Sequence, residues 1–256
     1  MKIIYYIFCF CFGATIGSFL NVLIYRMPRC LSIIKPGSFC PNCKKPIKWY
    51  ENIPVLSFIF LGGKCPKCQT SISVHYPIVE VISGSLLVYL FINYNLNIEF
   101  FFYFFFFCSL IVISGIDYSF QIVPDIISVP GIFIGILFQV IKSNFVSGLI
   151  GMIFGGGLIL LIRTIGGWVY KKEVMGLGDV YLTAMIGAFI GFPLIIPSIF
   201  IGALIGAILG VLFIISTHQS RESPIPFGPF LSIGGIAVII FKQEIIQVFK
   251  LLEIYF

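Results

Sequence analysis

Charge is what this chain has least of. Only 10% of its 256 residues are Asp, Glu, Lys or Arg, and 59% are hydrophobic, with a mean hydropathy of +1.09. A soluble domain has about a quarter of its residues charged, so this composition excludes a free globular domain and implies a polytopic membrane protein. Histidine is scarce too: His75 and His218 are the only two, far apart, and no chemistry is assigned to them. There is no serine elbow, no cysteine–histidine pair and no glycine-rich nucleotide loop. The formal charge of +6 is no nucleic-acid signal, because in a membrane chain the positions of the cations set orientation.

What fills the chain is a series of apolar runs, read as about eight transmembrane helices in an all-α protein: 3–24, 77–93, 98–116, 126–142, 145–168, 179–192, 195–215 and 228–241. The first lacks a small-x-small cleavage site and is expected to be retained as a span. The tail 242–256 alternates charge with Ile245, Ile246, Val248, Phe249 and Leu252, the spacing of an amphipathic helix lying in the interface. Arg26, Arg29, Lys35, Lys44, Lys45, Lys48, Lys64 and Lys67 follow the first span, Lys171 and Lys172 the fifth, and Arg221 the seventh. Positive residues mark the cytoplasmic side, so the N-terminus is expected outside, with Arg163 snorkelling inward. Glycines recur in the fifth span (Gly148, Gly151, Gly155, Gly156, Gly157) and the seventh (Gly202, Gly206, Gly210), where they are expected to leave a cleft.

Against this background two carboxylates stand out. Asp179 closes Gly176-Leu177-Gly178-Asp179 at the start of the sixth run, and Asp117 ends the third. The eight-span count puts both at the cytoplasmic boundary. Ionisable groups in membrane segments are costly and mark function, and paired carboxylates are the equipment of an aspartyl protease. One, ionised, takes a proton from the attacking water; the other, protonated, donates to the carbonyl oxygen. Structural roles compete: Asp179 as a helix N-cap and Asp117 as a polar stop. Asp125, after Pro124, is expected to cap the fourth span. Glu80 is expected in the first turn of the second span, where the helix dipole favours an acid, with a third active-site acid as the lesser reading.

The one long polar segment, 25–75, holds two Cys-x-x-Cys knuckles, Cys40–Cys43 and Cys65–Cys68, separated by residues 44–64. Four thiolates at this spacing suit a tetrahedral, structural zinc in a small ribbon-like loop. Two disulfides are the alternative, disfavoured on a reducing cytoplasmic side. Cys9, Cys11, Cys30 and Cys108 are read as apolar fillers.

Gly17-Ser18-Phe19-Leu20-Asn21-Val22-Leu23-Ile24-Tyr25-Arg26-Met27-Pro28-Arg29 resembles the opening signature of the prepilin peptidases, the type IV leader peptidases. The cysteine knuckles, Tyr76-Pro77-Ile78-Val79-Glu80, Asp117 with Ile122-Val123-Pro124-Asp125, Gly176-Leu177-Gly178-Asp179 and Pro226-Phe227-Gly228-Pro229-Phe230 follow in that family's order. Leu177 stands where glycine is common and Tyr181 where a basic residue is frequent.

The resemblance implies a bifunctional enzyme of the cytoplasmic membrane. Residues 76–256 would be the aspartyl peptidase, with Asp117 and Asp179 catalytic. It would cut the short basic leader from prepilin or pseudopilin precursors after glycine at the cytoplasmic face. Residues 1–75 would be tied to N-methylation of the new terminus from S-adenosyl-L-methionine. Partners would be the precursors and membrane lipid, with no nucleic acid. Three rivals stand beside this reading: a proton- or cation-coupled transporter with buried carboxylates, a presenilin-type intramembrane protease, and a noncatalytic scaffold using the zinc loop.

Overall fold

The computed structural model describes residues 2–173, 175–217 and 226–251. Ten α-helices run through these residues: α1 (Lys2–Arg26), α2 (Leu56–Phe60), α3 (His75–Tyr94), α4 (Ile98–Phe120), α5 (Asp125–Ile141), α6 (Phe145–Tyr170), α7 (Leu177–Ile190), α8 (Ile195–Thr217), α9 (Gly228–Ile240) and α10 (Lys242–Leu251). Each of the eight apolar runs is a helix. By length and composition five of them, α1, α3, α4, α6 and α8, are fit to cross a membrane, and α9 with α10 adds a sixth only if that pair, bent by 78°, is one span. The shorter α5 and α7 have 17 and 14 residues. At about 1.5 Å per residue they fall short of a hydrocarbon core of roughly 30 Å. α7 stops early because Gly191 takes a positive φ of 75° just ahead of Pro193. α10 occupies the expected interfacial helix as far as Leu251, and none of its residues is buried. His218, Arg221, Glu222, Pro224 and the last five residues lie outside the described residues.

The chain divides into two compact units, Met1–Val112 and Ile113–Phe256. In the first, α1 and α3 pack at backbone distance. A Cβ on Gly13 would stand 2.8 Å from the Gly84 Cα, and one on Gly17 2.8 Å from the Glu80 Cα, so glycine is what lets the helices meet. The buried Ser83 hydroxyl donates to the Gly13 carbonyl (2.7 Å), and the Asn21 amide to the Tyr76 carbonyl (3.0 Å). Arg26 is buried at the end of α1, donating to the carbonyls of Ser32 (2.8 Å) and Gly37 (3.0 Å). It is a structural clamp on the polar loop.

In the second unit α7 is the core. Leu182 through Ile190 are buried without a gap. α6 reaches it through glycine: a Cβ on Gly151 would be 2.5 Å from the Gly187 carbonyl oxygen and one on Gly155 2.7 Å from that of Thr183. α5 meets α7 at Gly131 and Gly135, against Met185 and Phe189, and the buried Gln139 donates to the Phe189 carbonyl (2.7 Å). α8 receives α9 at Gly202 and Gly206, against Phe230 and Leu231. The cleft expected from these glycines is therefore corrected. The space beside Gly148, Gly151, Gly155 and Gly156 is filled by neighbouring chain, and Gly157 alone of that set has nothing within 4 Å of where a Cβ would stand. Small residues exchange their missing side chains for close helix packing rather than for open space.

Candidate active site and metal centre

Both aspartates belong to the second unit, in the last turns of one helix and the first turn of another. Asp117 lies one turn before the end of α4, which runs on to Phe120, and Asp179 is the third residue of α7. Both are buried, at 5% and 8% exposure, and the charge of Asp117 is felt at Asp179. Asp117 Oδ2 accepts from the Gly228 backbone N–H at 2.8 Å. Gly228 opens α9 and is followed by Pro229, so the carboxylate meets the positive end of that helix. A Cβ on Gly228 would come within 2.7 Å of the same oxygen, which explains glycine in Pro226-Phe227-Gly228-Pro229. Gly228 is the contributor that sequence reasoning did not assign; the motif was visible, its contact was not.

Asp179 is not the N-cap. Gly176 holds that position, and the Asp179 carboxylate accepts from the Gly176 amide, as an acid at the third helical position does. Gly178 lies under the segment ahead of α5, where a Cβ would be 2.6 Å from that of Val123. Each glycine of Gly-x-Gly-Asp thus has a local role, Gly176 as the cap and Gly178 in admitting Val123. The loop before α7 is held by Arg163, whose Nε donates to the Met175 carbonyl (2.9 Å) while a terminal nitrogen pairs with Glu173 (3.0 Å). Arg163 thereby pins the loop leading to Asp179. Asp125 is likewise corrected: Pro124 is the N-cap, and Asp125 is exposed in the first turn with no capping hydrogen bond.

In the first unit the four cysteine sulfurs of Cys40, Cys43, Cys65 and Cys68 lie within 4.8 Å of one another. Zn–S bonds of about 2.3 Å put the sulfurs of a tetrahedron roughly 3.8 Å apart, and those of Cys40 and Cys68 are 3.8 Å apart. All four are free thiols, and that spacing is far beyond an S–S bond of about 2.05 Å. The two knuckles fold alike. Each is closed by a short antiparallel bridge, Phe39–Pro46 and Lys64–Ser71. The first cysteine's carbonyl accepts from the residue four places on, Lys44 (2.8 Å) or Gln69 (2.9 Å), each with positive φ. Hydrogen bonds from the Thr70 side chain and backbone lower the Cys68 thiol to about 6, while its neighbour Cys43 is pushed up to about 11, so without a metal the thiolate that one needs is favoured at Cys68 and not at Cys43. The donor set fits a structural metal with every coordination position filled by protein.

Glu80 is corrected as well. α3 begins at His75, so Glu80 sits beyond its first turn and does not serve its dipole. It is buried, accepts from the Val55 N–H at 2.7 Å and from the Ser18 hydroxyl, and lines a cavity in the first unit.

These features define a class: a multi-pass helical membrane protein with two buried carboxylates in one unit and a four-thiol, metal-competent loop in the other. Comparison with known proteins narrows it. Residues 11–94 match the bacterial peptidase A24 N-terminal domain, and residues 104–211 match the type IV leader peptidase family. The prepilin leader peptidase/N-methyltransferase of Aeromonas hydrophila is 31% identical over 273 residues, covering 94% of this chain and 92% of the relative. That of Pseudomonas aeruginosa is 29% identical, covering 93% and 90%. That of Myxococcus xanthus is 34% identical over 84% of this chain, which spans 64% of that relative's length. The chain belongs to the type IV leader peptidase family. No solved structure matches it.

Proposed function

We propose that this protein removes the basic leader from prepilin-like precursors after glycine at the cytoplasmic face, with Asp117 and Asp179 as the catalytic pair, and then methylates the new N-terminus. The observation that carries the reading is the burial of these two carboxylates in one unit, each tied by a backbone amide, with the charge of Asp117 acting on Asp179. Two like charges close together in a water-poor site share one proton. The ionised member accepts a proton from water as that water attacks the scissile carbonyl, and the protonated member donates to the carbonyl oxygen. The amide at the start of α9 orients Asp117, and that at the start of α7 orients Asp179. No covalent intermediate is needed.

The four cysteines would hold zinc as a structural ion. S-adenosylmethionine, when bound, supplies an electrophilic methyl group. We assign residues 1–75 to methylation and 76–256 to hydrolysis, and place the N-terminus outside, because Arg26, Arg29 and the loop lysines then face the cytoplasm.

Mass spectrometry of a prepilin N-terminus after co-expression tests this. Wild type is expected to yield the leaderless chain, heavier by one methyl; Asp117→Asn and Asp179→Asn are expected to leave the leader on. Cleavage in either variant would remove that residue from the pair.

A further inference from the structure

A cavity of about 380 Å³ lies wholly within the first unit, walled by the C-terminal half of α1, both knuckles, α2 and the start of α3. That volume is in the range of small-molecule sites. It is not part of the carboxylate pair, and a structural metal does not use it.

Its charge points to the ligand. Among its described lining residues are the carboxylates of Glu80 and Glu51 and the thiols Cys40 and Cys65, and no lysine. The one guanidinium in the lining, that of Arg26, donates to the carbonyls of Ser32, Ile33 and Gly37 and lies over the Phe39 ring. The wall thus carries two carboxylates against one guanidinium, a local balance that favours a cation. Glu80 is 8% exposed, an acid kept inside where one is costly. It also holds Val55, a β-branched residue at φ 62°, a conformation that persists only when its surroundings enforce it. Val55 leads into α2, whose Ser57 and Phe58 face the same cavity. Phe58 and Tyr76 add aromatic surface suited to a purine or a sulfonium.

We propose that this cavity is the S-adenosylmethionine site and that Glu80 is its cation-recognising residue. The assignment rests on the N-methyltransferase reading above, adds its location, and carries the methylating segment past residue 75 to include Tyr76, Pro77 and Glu80 at the start of α3. A carboxylate wall prefers the sulfonium donor to the neutral thioether left after transfer, so it would also favour product release.

The test uses the full chain in nanodiscs with methyl-tritiated S-adenosylmethionine. Ultraviolet cross-linking and peptide mapping of wild type are expected to place label within residues 18–80. Equilibrium dialysis is expected to show Glu80→Gln binding about tenfold or more weakly, with its melting temperature checked first. Label confined to the helices of the second unit would overturn the proposal, as would unchanged affinity in a folded Glu80→Gln. If that variant binds the donor normally yet fails to methylate, the cavity takes the acceptor amine and the donor assignment falls. If it does not fold, the wild-type label map decides alone. The same wild-type preparation is given prepilin. Methylated product with label elsewhere refutes only the cavity, whereas no binding and no methylation refute the methyltransferase reading with it.

Discussion

At the scale of single residues, the second unit places a backbone amide on each catalytic candidate, and the glycines supplying or admitting that contact have testable weight. Asp117→Asn and Asp179→Asn each keep shape and remove the acid, so leader cleavage is expected to fall on the order of 10³-fold or more, with melting unchanged; purified enzyme and a prepilin peptide would read this. Gly228→Ala is subtler. Its Cβ would stand 2.7 Å from Asp117 Oδ2, so the carboxylate must shift. Misplacement of about 1 Å at a reacting group costs on the order of 10²-fold, and kcat is expected to drop by about that much with KM little changed. The aspartates stood out in the sequence as acids at the ends of apolar runs, with a helix cap and a polar stop competing for the same positions. Gly228 was legible only as part of a motif, since nothing local says that α9 begins against Asp117. Glu80 and Asp125 were misplaced for a related reason. Both assignments depended on where a helix starts, and α3 begins at His75, ahead of the expected Pro77, while Pro124 takes the cap of α5.

At the scale of elements, the helices follow from apolar run length, but their pairing does not. Gly148, Gly151, Gly155 and Gly156 advertise close approach without naming the partner, and α7 takes that surface. Gly187→Val would force α6 and α7 apart at the point where Gly151 and Gly187 meet. Overpacking of this kind costs about 1–3 kcal/mol, expected as a lower melting temperature, with Gly157→Val nearly neutral because its position is open. The knuckles were the most readable element, since spacing alone implied a tetrahedral set and the sulfurs gather within 4.8 Å. Purified protein is expected to carry one zinc per chain by atomic emission. Cys43→Ser or Cys68→Ser is expected to lose it and to open residues 31–74 to limited proteolysis. Zinc retained in both variants would exclude the knuckles as its site.

At the scale of the whole molecule, the chain divides into two compact units, each holding one set of chemical groups. The first is built on α1 against α3 and contains the thiols, Glu80 and the cavity; the second is built around α7 and contains both aspartates. The aspartates draw their hydrogen bonds from Gly176 and Gly228, both in the second unit. The loop has little apolar core, and a structural metal can contribute on the order of 10 kcal/mol to such a fold. Removing the metal should therefore unfold the loop and leave the second unit standing. A Cys40→Ser, Cys65→Ser double variant, assayed on one prepilin, is expected to cleave within about threefold of wild type while losing at least about 90% of N-methylation. Mass spectrometry of the product reads both at once, as leader loss and as the added methyl. Equal loss of both activities in a variant that still melts cooperatively would mean that the aspartates depend on the first unit, and the division of labour proposed between residues 1–75 and 76–256 would fail.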